Sequence, residues 1–256
     1  MRRLSIIGIG AGDPDYVTVQ AIKALNEADV FFVVTKASEQ QDLVDLRMEI
    51  LERYVEEPSY RLVEVEDPER RRGAPTASYR SAVEDWRRQR ADRYERLIRD
   101  ELGETECGAF LVWGDPSLYD STLGVIDDIL ARGAVAFEHR VIPGISSVQA
   151  LAAQHRIVLN RVGGAVQVTT GRRLSAGFPS EADDVVVMLD PHCTFTEVAD
   201  EGVEIYWGAY VGTDDEILVS GRLADVRDDI ERVRAEAKER KGWMFDTYLL
   251  RRPPAP

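Results

Sequence analysis

Short apolar runs and stretches of helical period take turns along the first part of this sequence. Residues 4–8, Leu-Ser-Ile-Ile-Gly, have the apolar run ending in glycine expected of a buried parallel strand. Val19, Ala21, Ile22 and Leu25 then recur at helical spacing, and 30–35 is a β-branched and aromatic strand. A helix over 43–51 carries Leu43, Leu46, Arg47, Ile50 and Leu51 on one side, and 61–66 alternates as a strand. An arginine-rich, turn-forming loop over 68–75 leads into a long charged helix over 78–102. Val83, Trp86, Tyr94, Leu97 and Ile98 form its expected buried side. Strands at 109–113 and 137–142, with helices at 123–130 and 146–153, continue the alternation. Such an order predicts a mostly parallel sheet with helices on both faces.

The pattern changes after Gly144. Four strand candidates, 166–170, 185–189, 204–211 and 216–219, follow with little helix between them. A helix over 230–239, a closing strand over 244–250 and an Arg252-Pro253-Pro254 tail complete the chain. The expected fold class is therefore α/β, in two α/β domains: 1–144 with the parallel sheet, and 145–256 with a smaller mixed sheet. No internal repeat is visible.

Composition narrows the function classes. At 256 residues, 44% hydrophobic and 30% charged, the chain has material for one or two cores. No run approaches the ~20 apolar residues of a membrane span. Met1-Arg2-Arg3 before an apolar run imitates a secretory signal, but the run is short and glycines follow at once, so a first strand is expected. Cys107 and Cys193 are far apart, and His139, His155 and His192 are scattered, so neither a disulfide framework nor a metal site is expected. A reducing cytoplasm is the expected location. A net charge of −14 and a pI near 4.8 disfavour nucleic acid as a partner. A polyanionic small molecule would need a locally basic pocket; Arg70-Arg71-Arg72 and Arg172-Arg173 are candidates, although such runs usually form solvated faces.

Three clusters carry the candidate chemistry. In the first, Gly8-Ile9-Gly10-Ala11-Gly12-Asp13-Pro14-Asp15, Asp13 stands where a dinucleotide fingerprint needs its third glycine. Thr35-Lys36 stand where that fold expects a ribose-holding acid, so the dinucleotide reading fails twice. The second, Trp113-Gly114-Asp115-Pro116-Ser117-Leu118-Tyr119, puts Asp115 at a strand's carboxyl end, where open α/β sheets bind ligands. The third, Pro143-Gly144-Ile145-Ser146-Ser147, ends a strand and opens a helix; one serine is a natural N-cap. Each alone is an ordinary strand-to-helix turn. Their order and repetition at strand ends make the signal.

That series resembles the pattern of the tetrapyrrole methylases, and the likeness covers nearly the whole chain. It implies two α/β domains with S-adenosylmethionine in a cleft between them, S-adenosylhomocysteine as product, and a homodimer. It implies cofactor contacts at Gly10, Ala11, Trp113, Gly114, Asp115, Leu118, Ser146 and Ser147, with Ala11 replacing the commoner proline. It extends them to Met188, Leu189, Tyr210, Val211, Gly212 and Thr247. A narrower likeness, to a deacetylating C-methyltransferase of corrin synthesis, rests on Asp42-Leu43-Val44-Asp45-Leu46-Arg47 and Trp86-Arg87-Arg88-Gln89-Arg90. The substrate is then a tetrapyrrole whose own carbon is the nucleophile. Asp115 and Tyr119 are the candidates for proton movement, and Arg47, Arg70, Arg71 and Arg72 for the substrate's carboxylates. A different corrin methylase, a diphthamide-type protein methylase, an inactive cofactor-binding regulator and a nicotinamide dehydrogenase remain as rivals.

Overall fold

The computed structural model describes residues 1–35, 41–68, 76–199 and 202–253. The chain forms two compact units. Met1–Gly10 and Pro14–Ile145 make the first; Ala11–Asp13 and Ser146–Pro256 make the second.

In the first unit, β1 (Arg2–Gly8), α1 (Val19–Leu25), β2 (Val30–Thr35), α2 (Gln41–Tyr54), β3 (Arg61–Glu66), α3 (Thr76–Glu101), β4 (Cys107–Val112), α4 (Thr122–Arg132) and β5 (Phe137–Ile142) follow in order. All strand pairings are parallel, in the order β3-β2-β4-β1-β5. Period-two alternation decides which helix covers which face. Leu4 and Ile6 of β1 join Phe32 and Phe110 under α3 and α4, among Tyr94, Ile98, Val125 and Ile129. Ile7 faces the other way, with Phe31 and Leu111 under Leu25 of α1 and Ile50 of α2.

The expected α3 stripe is correct at Tyr94 and Ile98, both fully buried, while Val83, Trp86 and Leu97 are half-buried. Arg90 lies in the same stripe and is buried too, which apolar periodicity cannot reveal. Asp67, directly after β3, supplies its counter-charge across 2.8 Å.

The second unit contains α5 (Ser147–His155), β6 (Val166–Thr170), α6 (Gly171–Leu174), β7 (Asp184–Met188), β8 (Glu204–Ala209), β9 (Ile217–Arg222), α7 (Leu223–Lys241) and β10 (Asp246–Arg251). Its strands lie in the order β6-β7-β10-β8-β9, with only β6 and β7 parallel. This is the mixed sheet expected from the strand-rich second half. Two expectations need correction. The predicted helix over 230–239 begins at Leu223, because Leu223, Ile230, Arg234 and Ala237 form one buried stripe in which an arginine replaces an apolar residue. Arg234 is admitted by an ion pair of 2.8 Å to Asp246. The four-residue helix α6, too short for periodicity to register, holds Arg172 and Arg173 on its exposed side.

Candidate functional site

The strand order puts β4, β1 and β5 side by side, so the bends after them leave the same end of one sheet. Those bends are closed backbone against backbone. A Cβ on Gly8 would stand 2.6 Å from the Gly144 nitrogen and 2.9 Å from the Gly114 oxygen. One on Gly144 would stand 2.8 Å from the Gly8 carbonyl carbon. Gly114 N–H donates to the Gly10 carbonyl at 2.8 Å, and Gly10 N–H returns a bond of 3.3 Å. Gly10 and Gly114 lie at φ 83° and 68°, where a side chain is strained. Gly8, Gly10, Gly114 and Gly144 thus form one junction: space requires glycine at Gly8, Gly10 and Gly144, and the dihedral requires it at Gly10 and Gly114.

Asp115 ties that junction together. One carboxylate oxygen accepts the Gly144 N–H at 2.9 Å; the other accepts the Ser117 N–H at 2.8 Å and the Ser117 hydroxyl. Burial opposes ionisation of Asp115, but these donors outweigh it and hold the carboxyl below its ordinary range. Asp115 is therefore a carboxylate at neutral pH, with its acceptors engaged. Trp113 packs half-buried against the α1–α2 side of the core. Leu118 is half-buried, and Tyr119 is about half exposed with φ 52°.

In the second unit the remaining expected residues gather at strand ends by register. Thr247 of β10 pairs with Met188 at the end of β7 on one side and with Gly208 of β8 on the other. Leu189, directly after Met188, is exposed with φ 54°; Tyr210, directly after β8, is buried with φ 48°. Tyr210 is held by its hydroxyl, which donates to the Trp243 carbonyl at 2.5 Å, and by an edge-to-face contact with the Trp243 ring. Val211 is buried, and the Gly212 N–H donates to Glu216 at 2.8 Å.

Ala11, Gly12 and Asp13 belong to this second unit, and Gly12 lies so close to Gly212 that a Cβ would stand 2.9 Å from the Gly212 carbonyl carbon. Ser146 caps α5: its hydroxyl accepts the Val148 N–H at 3.2 Å, and Gln149 closes the capping box. Ser147 is half-buried in the first turn. The Thr247 hydroxyl is committed to the Val187 carbonyl at 3.0 Å.

Arg47 of α2 donates from Nε to the Leu111 carbonyl at 3.2 Å and from Nη1 to the Leu43 carbonyl at 2.6 Å. Desolvation lowers its pKa, opposed by the charges of Tyr94 and Asp120. Arg70, Arg71 and Arg72 lie outside the described residues. Sequence reasoning missed Asp190 as well. Buried after β7, Asp190 accepts the Tyr248 hydroxyl at 2.6 Å and the Thr194 N–H at 2.6 Å, and so fixes the turn that carries Leu189. A lone Asp after a strand gives no signal by itself.

This geometry agrees with comparisons to known proteins. Residues 3–227 match the family model of the Tetrapyrrole (Corrin/Porphyrin) Methylases. The chain belongs to that family. It is 52% identical over 252 residues, covering 98% of this chain and 96% of the relative, to a precorrin-6A synthase [deacetylating] of Sinorhizobium sp. Among solved structures it is similar to a cobalamin synthesis related protein (CobF) of Corynebacterium diphtheriae. That match has a TM-score of 0.85 and 35% identity, covering 98% of each chain. A uroporphyrin-III C-methyl transferase of Thermus thermophilus, complexed with S-adenyl homocysteine, shares the fold at 17% identity and TM-score 0.57, covering 97% of this chain and 96% of that one. The expected family, two-unit α/β fold and methyltransferase class of corrin synthesis are borne out. Among the described residues, no helix is long and apolar enough to cross a membrane.

Proposed function

We propose that this tetrapyrrole methylase uses S-adenosylmethionine to methylate C1 of precorrin-5, with a water molecule taking the acetyl group off as acetate, giving precorrin-6A and S-adenosylhomocysteine. The observation that carries this reading is the glycine junction at adjoining strand ends, in a chain 52% identical to a deacetylating precorrin-6A synthase. The residues suit a sulfonium nucleoside better than a dinucleotide. The ionised Asp115 at the junction repels a pyrophosphate, and Thr35-Lys36 stand where a dinucleotide fold expects an acid.

The contact set we propose is Gly10, Ala11, Trp113, Gly114, Asp115, Leu118, Ser146, Ser147, Met188, Leu189, Tyr210, Val211, Gly212 and Thr247. When bound, the cofactor supplies an electrophilic methyl group. The chain's task is then chiefly alignment, since a well-oriented pair of reactants gains about 7–11 kcal/mol. Asp115, already holding three donors as a carboxylate, orients the bends and is poorly placed to give up a proton. Proton movement during loss of the acetyl group therefore falls to Tyr119. Arg47, whose charge is desolvated and which donates to the Leu111 and Leu43 carbonyls, meets a substrate carboxylate, with Arg70, Arg71 and Arg72 as further candidates. The same reading makes the protein a homodimer of the cytoplasm.

The test is incubation of the full chain with precorrin-5 and methyl-labelled S-adenosylmethionine, followed by mass analysis. One labelled methyl gained together with an acetyl lost is expected. A methylated product that keeps its acetyl group would reassign the chain to another precorrin methylase. Tyr119→Phe should lower turnover and leave S-adenosylhomocysteine affinity unchanged.

A further inference from the structure

The loop that leaves β4 is pinned at both ends, and the two pins differ in kind. At its start, Asp115 binds the Gly144 backbone. At its far end stands Ser121, the N-cap residue of α4, whose hydroxyl makes no capping bond. Asp120 accepts the Thr122 N–H at 2.7 Å instead. The Ser121 hydroxyl is turned to the Arg90 guanidinium of α3. Between the pins lie Leu118 and the left-handed Tyr119.

Arg90 is built in from every side. Its Nη2 donates to the Tyr94 hydroxyl at 2.6 Å, and its guanidinium lies 4.8 Å from the Trp86 ring centre. Its Nε stands 2.8 Å from Asp67, with both side chains almost fully enclosed, in ion-pair contact without the alignment of a hydrogen bond. Trp86 is itself fixed by a 2.9 Å bond from Nε1 to the Pro68 carbonyl. A buried ion pair is seldom worth more to stability than well-packed apolar side chains, and its best-attested use is to specify one arrangement. The arrangement specified here joins the end of β3, the helix α3 and the end of the β4 loop.

We infer that Arg90 is a positioning residue: it holds the Tyr119 end of the β4 loop in register with α3, so that the long helix sets the placement of Tyr119 during turnover. This rests on the methyltransferase reading above. Arg90 acts through Ser121, without meeting substrate or cofactor.

Two measurements on the full chain test it. Hydrogen exchange of the amides over 118–121 should quicken at least tenfold in Arg90→Met, with those of β1 and β5 unchanged. In the same variant kcat for the precorrin should fall by about a hundredfold, as expected for a group displaced by about 1 Å, while calorimetric affinity for S-adenosylhomocysteine stays within about twofold. Ser121→Ala, which leaves the Asp67–Arg90 pair whole, gives the same signs more weakly and serves if Arg90→Met does not fold. The double variant should be no worse than Arg90→Met, because the two residues act as a unit. Arg132→Met is the control: Arg132 joins α4 to Asp92 and Glu95 of α3 at the other end of α4, so its loss should leave kcat near that of the unaltered chain. Unchanged exchange over 118–121 overturns the inference whatever happens to activity. So does faster exchange with unchanged kcat, or an Arg132→Met loss equal to that of Arg90→Met. If the unaltered chain binds S-adenosylhomocysteine but does not turn over the precorrin, the functional reading fails, and the exchange result alone decides whether Arg90 holds the loop.

Discussion

The two units differ in what holds the bends directly after their strands. In the first, the bends after β1 and β5 hold glycines, Gly10 and Gly144, with no space for a side chain, Gly114 after β4 lies at a left-handed φ, and one carboxylate, Asp115, ties the β4 bend to the β5 bend. In the second, Leu189 and Tyr210 adopt left-handed backbone without being glycine, and side chains hold them there. Tyr210 hangs from the Trp243 carbonyl, and the turn carrying Leu189 is bound to Asp190 and Tyr248. A glycine bend is stable because nothing competes with it. A left-handed leucine or tyrosine costs about 1–2 kcal/mol and persists only where its surroundings over-determine it. The first design reads directly in a sequence; the second is spread over residues distant in the chain.

The strongest way to break this contrast is Gly144→Ala. Its new methyl meets backbone on two sides, so repacking cannot absorb it, and the first unit should lose about 3 kcal/mol or more by urea unfolding. Gly133→Ala is the matched control: φ is 67° but no atom lies within 4 Å, and the loss should be only about 1 kcal/mol. A Gly144→Ala loss no larger than that of Gly133→Ala would mean that the surrounding backbone yields and that space does not demand glycine there.

Next in size is Tyr248→Phe. It takes one donor from the buried Asp190 carboxylate, at an expected cost of about 1–3 kcal/mol to the second unit in the same assay. A neutral result would show that the bonds of Asp190 to Thr194, His192 and Arg234 suffice to secure the Leu189 turn.

Leu189→Gly sharpens the comparison from the other side. The side chain is 59% exposed, so little burial is lost. Relief of left-handed strain against the backbone entropy of glycine leaves a net gain of up to about 1 kcal/mol. Calorimetry should at the same time show weaker S-adenosylhomocysteine binding. A destabilised variant would mean that leucine packs at this turn more than it strains.

The smallest effect concerns Asp115→Asn and shows itself only with pH. The folded pKa of Asp115 is depressed, so its stabilisation is present above the ordinary carboxylate pKa of about 3.9 and is lost as pH falls through the folded value. The Tm gap between the unaltered chain and Asp115→Asn should therefore be constant near neutrality and close in acid. A gap that persists unchanged in acid would show that charge is not its source.

Much of this was legible in one sequence. The elements at 19–25, 30–35, 61–66, 137–142 and 166–170 end where periodicity places them, because each is bounded by a sharp change from apolar to turn-forming residues. Reading failed where a charged residue occupies a core position. Arg90 and Arg234 both sit in buried helical stripes, and each is neutralised by an aspartate that chain distance hides, Asp67 and Asp246.

Glycine, proline and apolar period act on their nearest neighbours, so the sequence alone determined the strand-and-helix order, the two classes of sheet and the three bends. Only the tertiary structure decided that Gly8, Gly114 and Gly144 touch, that Ala11–Asp13 leave the first unit for the second, and that the Ser121 hydroxyl accepts from Arg90 and not from its own helix. Those outcomes depend on which strands lie adjacent and which charges find partners when water is excluded. The order β3-β2-β4-β1-β5 sets both, and no local pattern encodes it.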